Sequence, residues 1–178
     1  MSDFYKFLAE NSIEYDRHDH PAVYTVEEAG RLVPTLPAAK TKNLFLRDKK
    51  GLRHFLVVVP ADKRVDLKAL PRVVGSKRLS FGSAQRLKKY LGVEPGSVTL
   101  FAIFNDPNHA VELIVDESMW LSEAFQFHPL VNTSTLVISR ENLKRFIGKT
   151  GHEVRLLDIP SLEVGSGNAE VGMRKSEI

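Results

Sequence analysis

Cysteine is absent from this chain of 178 residues. Its absence excludes disulfides, thiolate metal sites and cysteine nucleophiles, so hydrolysis would have to use other chemical groups. Long apolar runs are absent too, since residues 55–59 and 136–138 fall far short of the roughly 20 residues that cross a bilayer. The N-terminal segment also lacks the basic residues and continuous apolar stretch of a secretory signal. We therefore expect a cytoplasmic protein with no membrane partner.

Three common active-site motifs are missing as well. The sequence contains no Gly-x-Ser-x-Gly elbow, no Gly-x-x-x-x-Gly-Lys phosphate loop and no His-Glu-x-x-His zinc helix. His18 and His20 could place two imidazoles on one side of a strand, but the sequence offers no evident third ligand. We therefore interpret this pair as part of a solvated loop before Pro21 and predict no metal site.

The composition is that of an ordinary soluble globular domain. Hydrophobic residues make up 43% and charged residues 26% of a chain whose length suits one core. We assign residues 1–160 to a single domain and predict a mobile tail over residues 161–178, which have few apolar residues and no period. The net charge of +3 is compatible with a polyanionic partner but is common among proteins that bind none.

Hydrophobic spacing and capping residues predict both helices and strands. Helices are predicted to begin near residues 2, 25, 66, 83 and 139, with the third ending at Pro71. Extended segments are predicted over residues 13–17, 43–47, 53–59, 79–81, 98–104, 111–115, 133–139 and 154–159. Because strands outnumber helices and do not alternate with them, we predict an α+β fold, a single compact domain around a mixed, largely antiparallel sheet with flanking helices.

Two lysines lie on the apolar side of one predicted strand. Lys40 and Lys42 share a side with Leu44 and Leu46, because side chains alternate along an extended chain. Such a lysine must reach the edge of the sheet or meet an anionic partner. The pattern alone favours a lysine that extends to solvent at the start of a strand over a fixed cation at a pocket mouth, which would suit a phosphate or a developing oxyanion.

Basic side chains recur on two predicted helices. Lys88 and Lys89 lie on one and Lys144 and Arg145 on the other, with few acidic residues around them. They could form a phosphate track for an RNA acceptor arm, or simply the solvated faces of two helices. The scarcity of acidic neighbours tilts the interpretation slightly towards RNA binding.

Several segments, in one order along the chain, resemble a known family. They are residues 41–46 (TKNLFL), 55–60 (FLVVVP), 77–81 (KRLSF), 92–98 (GVEPGSV) and 127–132 (FHPLVN). On these segments, and from His20 to about Asp158, the chain resembles the prolyl-tRNA editing-domain (YbaK/ProX-like) family, and more narrowly its freestanding alanyl-tRNA(Pro) deacylases.

The resemblance implies a trans-editing hydrolase that cleaves the aminoacyl ester of mischarged tRNA(Pro), with alanyl-tRNA(Pro) as the leading substrate. The fold it implies is a compact α+β editing domain. The expected partners are the tRNA acceptor end and, transiently, prolyl-tRNA synthetase. Neither a membrane nor DNA is an expected partner, and no metal or organic cofactor is expected.

The resemblance also implies which residues carry the reaction. The lysine matching Lys42 is the critical side chain and holds the 3′-terminal region of the substrate, while the neighbour matching Asn43 positions the aminoacyl end. The histidine matching His128 lines the same pocket. Fixed donors of this kind suit ester hydrolysis, because they stabilise the charge that develops on the carbonyl oxygen while a positioned water attacks. A ribose hydroxyl of the tRNA is expected to orient or activate that water.

One loop departs from the family pattern. Family members commonly carry Gly-x-x-x-Pro against the aminoacyl pocket, and the matching residues here are Gly96, Ser97, Val98, Thr99 and Leu100. Leucine in the place of proline restores a backbone N–H and frees φ, which alters the constraint on pocket shape. Seryl, threonyl and cysteinyl esters are therefore alternative substrates. A non-catalytic RNA-binding module is a third alternative, which the presence of all three pocket residues disfavours.

Overall fold

The computed structural model describes residues 3–32 and 35–162. Most of the predicted mobile tail, residues 163–178, lies outside the described residues. The α-helices are α1 (Asp3–Glu10), α2 (Val26–Leu32), α3 (Leu70–Val74), α4 (Ala84–Leu91) and α5 (Arg140–Thr150). The strands are β1 (Asp16–Asp19), β2 (Ala39–Asp48), β3 (His54–Pro60), β4 (Leu79–Phe81), β5 (Val111–Asp116), β6 (Ala124–Phe127), β7 (Ser134–Ser139) and β8 (Val154–Leu157). Two 3-10 helices cover Leu100–Asn105 and Met119–Leu121.

The strands form one mixed sheet in the order β1-β7-β6-β2-β3-β5-β8, with β4 paired to β2. Four pairings are antiparallel, namely β1–β7, β6–β7, β2–β3 and β2–β4. Three are parallel, namely β2–β6, β3–β5 and β5–β8. The predicted α+β fold around a mixed sheet with flanking helices is therefore confirmed.

Two apolar clusters cover opposite faces of this sheet. The main cluster includes Phe45 of β2 and Val58 of β3, and the second includes their neighbours Leu44 and Val57. Because successive side chains of a strand point to opposite faces, odd-numbered residues of β2 face the main cluster and even-numbered ones face the second. We call the two sides the main-core face and the second-core face. Helices α1, α4 and α5 pack on the main-core face through Phe4, Leu87 and Phe146, among others.

Capping residues confirm three of the predicted helix starts. The hydroxyls of Thr25, Ser83 and Ser139 each accept a hydrogen bond from the backbone N–H three residues further on. Helices α4 and α5 end at Gly92 and Gly151, whose φ values of 66° and 81° suit glycine. Local sequence is therefore enough to explain where these helices begin and end.

Two predicted elements are wrong, and strand β6 and the 3-10 helix Met119–Leu121 were missed. The predicted strand over residues 98–104 is instead the 3-10 helix Leu100–Asn105, capped by Thr99. A short apolar run that is wholly buried carries no periodicity that separates helix from strand. The helix predicted to end at Pro71 runs instead over Leu70–Val74, because proline fits the first turn of a helix. Strand β6 was not predicted, since its four residues are too few to show an alternating pattern.

Candidate active site

A gap opens in the sheet between β2 and β6. The pairing of these strands covers residues 39–40 of β2 and 125–126 of β6. Next to this paired segment, the Thr41 hydroxyl donates a hydrogen bond to the Gln126 carbonyl at 2.7 Å, and the pairing of the two strands ends there. Strand β6 ends at Phe127, whereas β2 continues beside β3. We call the space between β2 from Thr41 to Phe45 and the chain that follows Phe127 the β2–β6 gap.

Lys42 and His128 border this gap from the same face of the sheet. If the parallel register were continued beyond the Lys40–Gln126 pair, Lys42 would stand opposite His128. The side chain of Lys40 is exposed, but Lys42 is only 9% exposed. The lysine that extends to solvent is therefore Lys40, and Lys42 is the buried cation of the pair.

Asn43 turns its side chain to the main-core face, opposite that of Lys42. It is 4% exposed, and its Oδ1 atom has no hydrogen-bond partner among the described residues. An unsatisfied buried polar group costs about 1–3 kcal/mol, so its presence in a folded protein calls for a functional or solvent partner. The two predicted catalytic residues are neighbours in sequence, so their side chains lie on different faces of the sheet. Both belong to the part of β2 that borders the gap.

The backbone amide of Asn43 also points into the gap. Even-numbered residues of β2 bond to β3, as the Lys40 carbonyl does by accepting from Ala61 N–H at 3.0 Å. Odd-numbered residues bond to the other side, as the Phe45 carbonyl does by accepting from Gly82 N–H at 2.9 Å. The Asn43 N–H therefore faces the part of that side where no described strand pairs with β2. It is a fixed donor aimed at the gap.

His128 has a ring nitrogen, Nε2, that can accept a hydrogen bond. Its Nδ1 atom lies 3.1 Å from the Ser134 carbonyl, which can only accept, so Nδ1 carries a proton. Burial lowers the pKa of His128 from its ordinary value, the Ser134 bond opposes this shift and the nearby His20 adds to it. The imidazole is therefore neutral near pH 7, and Nε2, to which no described residue bonds, is free to accept a hydrogen bond.

His20 lies in the irregular segment between β1 and Pro21, as predicted, but its part-buried ring is held by the protein beside His128. Its Nδ1 lies 2.8 Å from the Pro21 carbonyl and its Nε2 lies 2.8 Å from the Thr135 hydroxyl. The centre of its ring is 6.2 Å from that of His128. The His-x-His pattern was the available signal, since it places both histidines on one side of β1 and its extension.

The loop over residues 96–100 packs on the main-core face, the side of Asn43. Val98 and Leu100 are buried in the main cluster, with 1% and 0% of their surfaces exposed. The ring of Phe101, which follows, is 5.4 Å from that of Phe127 at the end of β6. The side chain of Leu100 therefore fills the core, and any contribution of this position to a pocket comes from its backbone.

Two of the predicted RNA-binding residues lie on α4. Lys88 forms an ion pair with Glu94 at 2.9 Å, whereas Lys89 is exposed and lies over the ring of Tyr90. Helix α4 is held to the β2–β3 turn by Arg86, which donates to a carbonyl of that turn at 3.0 Å. The part of β2 between Lys42 and this turn is about 20 Å long at the rise of a strand, so the turn that holds α4 lies far from Lys42.

The other two predicted RNA-binding residues lie on α5. Lys144 is exposed and lies over the Trp120 ring, 5.9 Å from its centre. Arg145 donates to the Ser12 carbonyl at 2.7 Å and lies 3.6 Å from Glu141. Much of the charge of Arg145 is therefore engaged within the protein, and Lys144 is the more available cation of this pair.

Residues 3–32 and 35–162 contain no group of three or more His, Cys, Asp or Glu side chains that could hold a metal ion. Within those ranges His18 and His20 accordingly have no third ligand. None of the helices in the described part of the chain is long and apolar enough to cross a membrane.

Comparison with known proteins identifies the family that the sequence segments resemble. The model of the aminoacyl-tRNA editing domain matches residues 20–146. The prolyl-tRNA editing protein ProX of Acetoanaerobium sticklandii is 37% identical, with 85% of this chain and 93% of that protein covered. Prolyl-tRNA synthetase associated domain-containing protein 1 of Bos taurus is 34% identical, with 85% and 90% covered. A solved structure reported as a candidate trans-editing enzyme for prolyl tRNA synthetase shares the fold, with a TM-score of 0.62 at 20% identity over 88% of this chain and 98% of that one. The chain therefore belongs to the aminoacyl-tRNA editing domain family.

Proposed function

We propose that the protein hydrolyses the aminoacyl ester of a mischarged tRNA(Pro) in trans, and that alanyl-tRNA(Pro) is its substrate. The similarity to a prolyl-tRNA editing protein supports the tRNA class. The observation that carries the proposal is the arrangement at the β2–β6 gap, which a buried lysine, an unsatisfied buried amide and a neutral imidazole all border. The tRNA acceptor end is the proposed partner, with prolyl-tRNA synthetase as a transient one.

The proposed reaction uses donors and an acceptor rather than an enzyme nucleophile. Water attacks the ester carbonyl carbon, the bond from that carbon to the ribose oxygen breaks, and the ribose oxygen takes up a proton. Lys42 binds the 3′-terminal region and the Asn43 side chain positions the aminoacyl end, while the Asn43 backbone N–H donates to the carbonyl oxygen as it becomes negative. Nε2 of His128 accepts a hydrogen bond from the water or from a ribose hydroxyl, because its other nitrogen is held by the Ser134 carbonyl.

A second candidate substrate is a seryl, threonyl or cysteinyl ester. Leu100 motivates it, since proline at this place would fix φ and remove an N–H. Leu100 is also the first residue of a 3-10 helix, a position that tolerates proline. The local fold would therefore accept proline at this position, so it does not explain why leucine is present.

The direct test is release of the amino acid from alanyl-, seryl-, threonyl-, cysteinyl- and prolyl-tRNA(Pro) under single-turnover conditions. We expect the fastest release from alanyl-tRNA(Pro) and none from prolyl-tRNA(Pro). Preference for another mischarged ester would assign the second candidate. If tRNA bound without any release, the enzymatic proposal would give way to an RNA-binding module.

Leu100→Pro is expected to change the ratio of alanyl to seryl rates several-fold and to lower stability. Thr99 already has the extended conformation that precedes proline (φ −151°, ψ 149°), so the main backbone change is loss of the N–H at position 100. Loss of one small group that faces a pocket alters discrimination by roughly 1–3 kcal/mol. The buried leucine side chain is lost at the same time, which should lower the free energy of unfolding by about 2–5 kcal/mol.

Leu100→Ala is the matched control for this substitution. It creates a similar cavity but keeps the backbone N–H, so it should lose stability but keep the wild-type ratio of rates. Stability is measured by chemical denaturation and the ratio by single-turnover deacylation. Equal ratios in all three proteins would show that position 100 does not set selectivity.

The affinity for tRNA is expected to fall steeply with salt if a basic face tracks the acceptor arm. Each lost phosphate contact should reduce the slope of log affinity against log salt by about 1. Lys89→Glu and Lys144→Glu test the two faces separately, because these are the cations that the protein itself engages least. A flat response in the wild type would confine recognition to the terminal nucleotide and the amino acid.

A further inference from the structure

Two side-chain hydrogen bonds join β7 to β1 and the residue that follows β1, close to His128. The Ser134 hydroxyl donates to the Asp19 carboxylate at 2.6 Å, and the His20 ring contacts the Thr135 hydroxyl at 2.8 Å. Asp19 and Ser134 are directly paired in the sheet. We call Asp19, His20, Ser134 and Thr135 the β1–β7 clamp. Its two bonds leave opposite faces of the strands, so they resist rotation of one strand against the other.

Both ring nitrogens of His20 are occupied within the protein. Nδ1 must carry a proton, because its partner is the Pro21 carbonyl. Nε2 is engaged by Thr135, and the backbone N–H of His20 donates to the Thr133 carbonyl at 3.0 Å. His20 therefore has a fixed ring and no nitrogen left for a substrate.

Two clamp residues determine the orientation of His128. The Ser134 carbonyl holds Nδ1 at 3.1 Å, and the His20 ring lies against the His128 ring at an interplanar angle of 60°. The first contact selects the tautomer with the proton on Nδ1, and the second limits rotation of the ring. Nε2 is the nitrogen that these contacts leave for a ligand.

We propose that His20 is a positioning residue, which Thr135 holds in place and which directs Nε2 of His128 into the β2–β6 gap. The inference rests on the proposed function of His128 and adds a role for residues that do not touch the substrate. Catalytic groups act only when held close to the productive geometry, and a displacement of about 1 Å can cost on the order of 100-fold in rate.

The test compares His20→Phe, which keeps a ring but loses both bonds, with Thr135→Val, which removes only the hydroxyl. His18→Phe is the matched control, since His18 lies on β1 two residues earlier and pairs with Thr135 in the sheet. Both clamp variants are expected to lower the single-turnover rate constant by roughly tenfold, well inside the limit for a misplaced group, with little change in tRNA dissociation constant. The control should keep the wild-type rate constant.

Nitrogen-15 spectra of the imidazoles give a readout that needs no substrate. Wild-type His128 should show one neutral tautomer. Both clamp variants should let its ring rotate away from the Ser134 carbonyl, which shifts its signals towards the averaged values of two exchanging tautomers. Failure of the wild type to hydrolyse any ester would overturn the proposed function but not this spectroscopic result. Unchanged spectra and rates in folded Thr135→Val would overturn the positioning role, whether or not His20→Phe folds. So would a slower reaction that arises from weaker tRNA binding alone.

Discussion

Replacing Lys42 with methionine is expected to lower the single-turnover rate of deacylation by roughly 100-fold, because loss of the group that holds the 3′-terminal region lets the ester shift by about 1 Å. The side chain is 9% exposed, so water has little room to take over the role of the ammonium group. Methionine keeps an unbranched apolar side chain in the same space and removes the charge. Rates are measured well below the thermal midpoint of the variant, so that unfolded protein does not contribute.

Lys40→Met is the matched control for this substitution. Lys40 lies on the same strand and the same face as Lys42 but is exposed, so its charge should contribute little to a buried site. We expect the control to retain nearly the wild-type rate. A folded Lys42→Met protein with the wild-type rate would remove Lys42 from the site, and equal losses in both variants would indicate general electrostatic attraction of tRNA instead.

Asn43→Leu is expected to stabilise the protein while lowering the rate at least tenfold, the smaller end of what loss of a positioning group costs. The Asn43 oxygen has no partner among the described residues, and the side chain is 4% exposed. Leucine has the same branching and no polar atom, so relief of the unsatisfied group should raise the free energy of unfolding by about 1–3 kcal/mol. Such a gain in stability with a loss of activity is typical of residues kept for function.

Gln126→Leu is expected to have the opposite effect on stability, lowering the free energy of unfolding. Gln126 is also buried, but its Nε2 atom donates to the Ala38 carbonyl at 2.8 Å. Leucine there leaves that carbonyl without its partner, so stability should fall. Chemical denaturation of both variants measures the contrast. If Asn43→Leu lost stability as Gln126→Leu does, the Asn43 amide would have a partner in solution and its buried oxygen would no longer mark a ligand site.

Local chemistry explains the parts of the fold that were predicted correctly. Ser83 and Ser139 satisfy N–H groups within their own first turns, and Gly92 and Gly151 end the helices through a backbone conformation that suits glycine. The β2–β3 hairpin likewise follows from two β-favouring runs and a short turn. In each case the interacting groups are close in sequence, so the pattern contains all the required information.

By itself the sequence determined the family, the mixed α+β class, most helix boundaries and the identity of Lys42, Asn43 and His128 as residues of interest. It could not show that Lys42 is buried while Lys40 is exposed, or that the buried Asn43 oxygen has no partner among the described residues, because both depend on where β6 leaves β2. The contact of His20 with Thr135 was hidden for the same reason, since it joins residues 115 positions apart. Only the tertiary structure decided these points, because burial and hydrogen-bond satisfaction are set by neighbours in space.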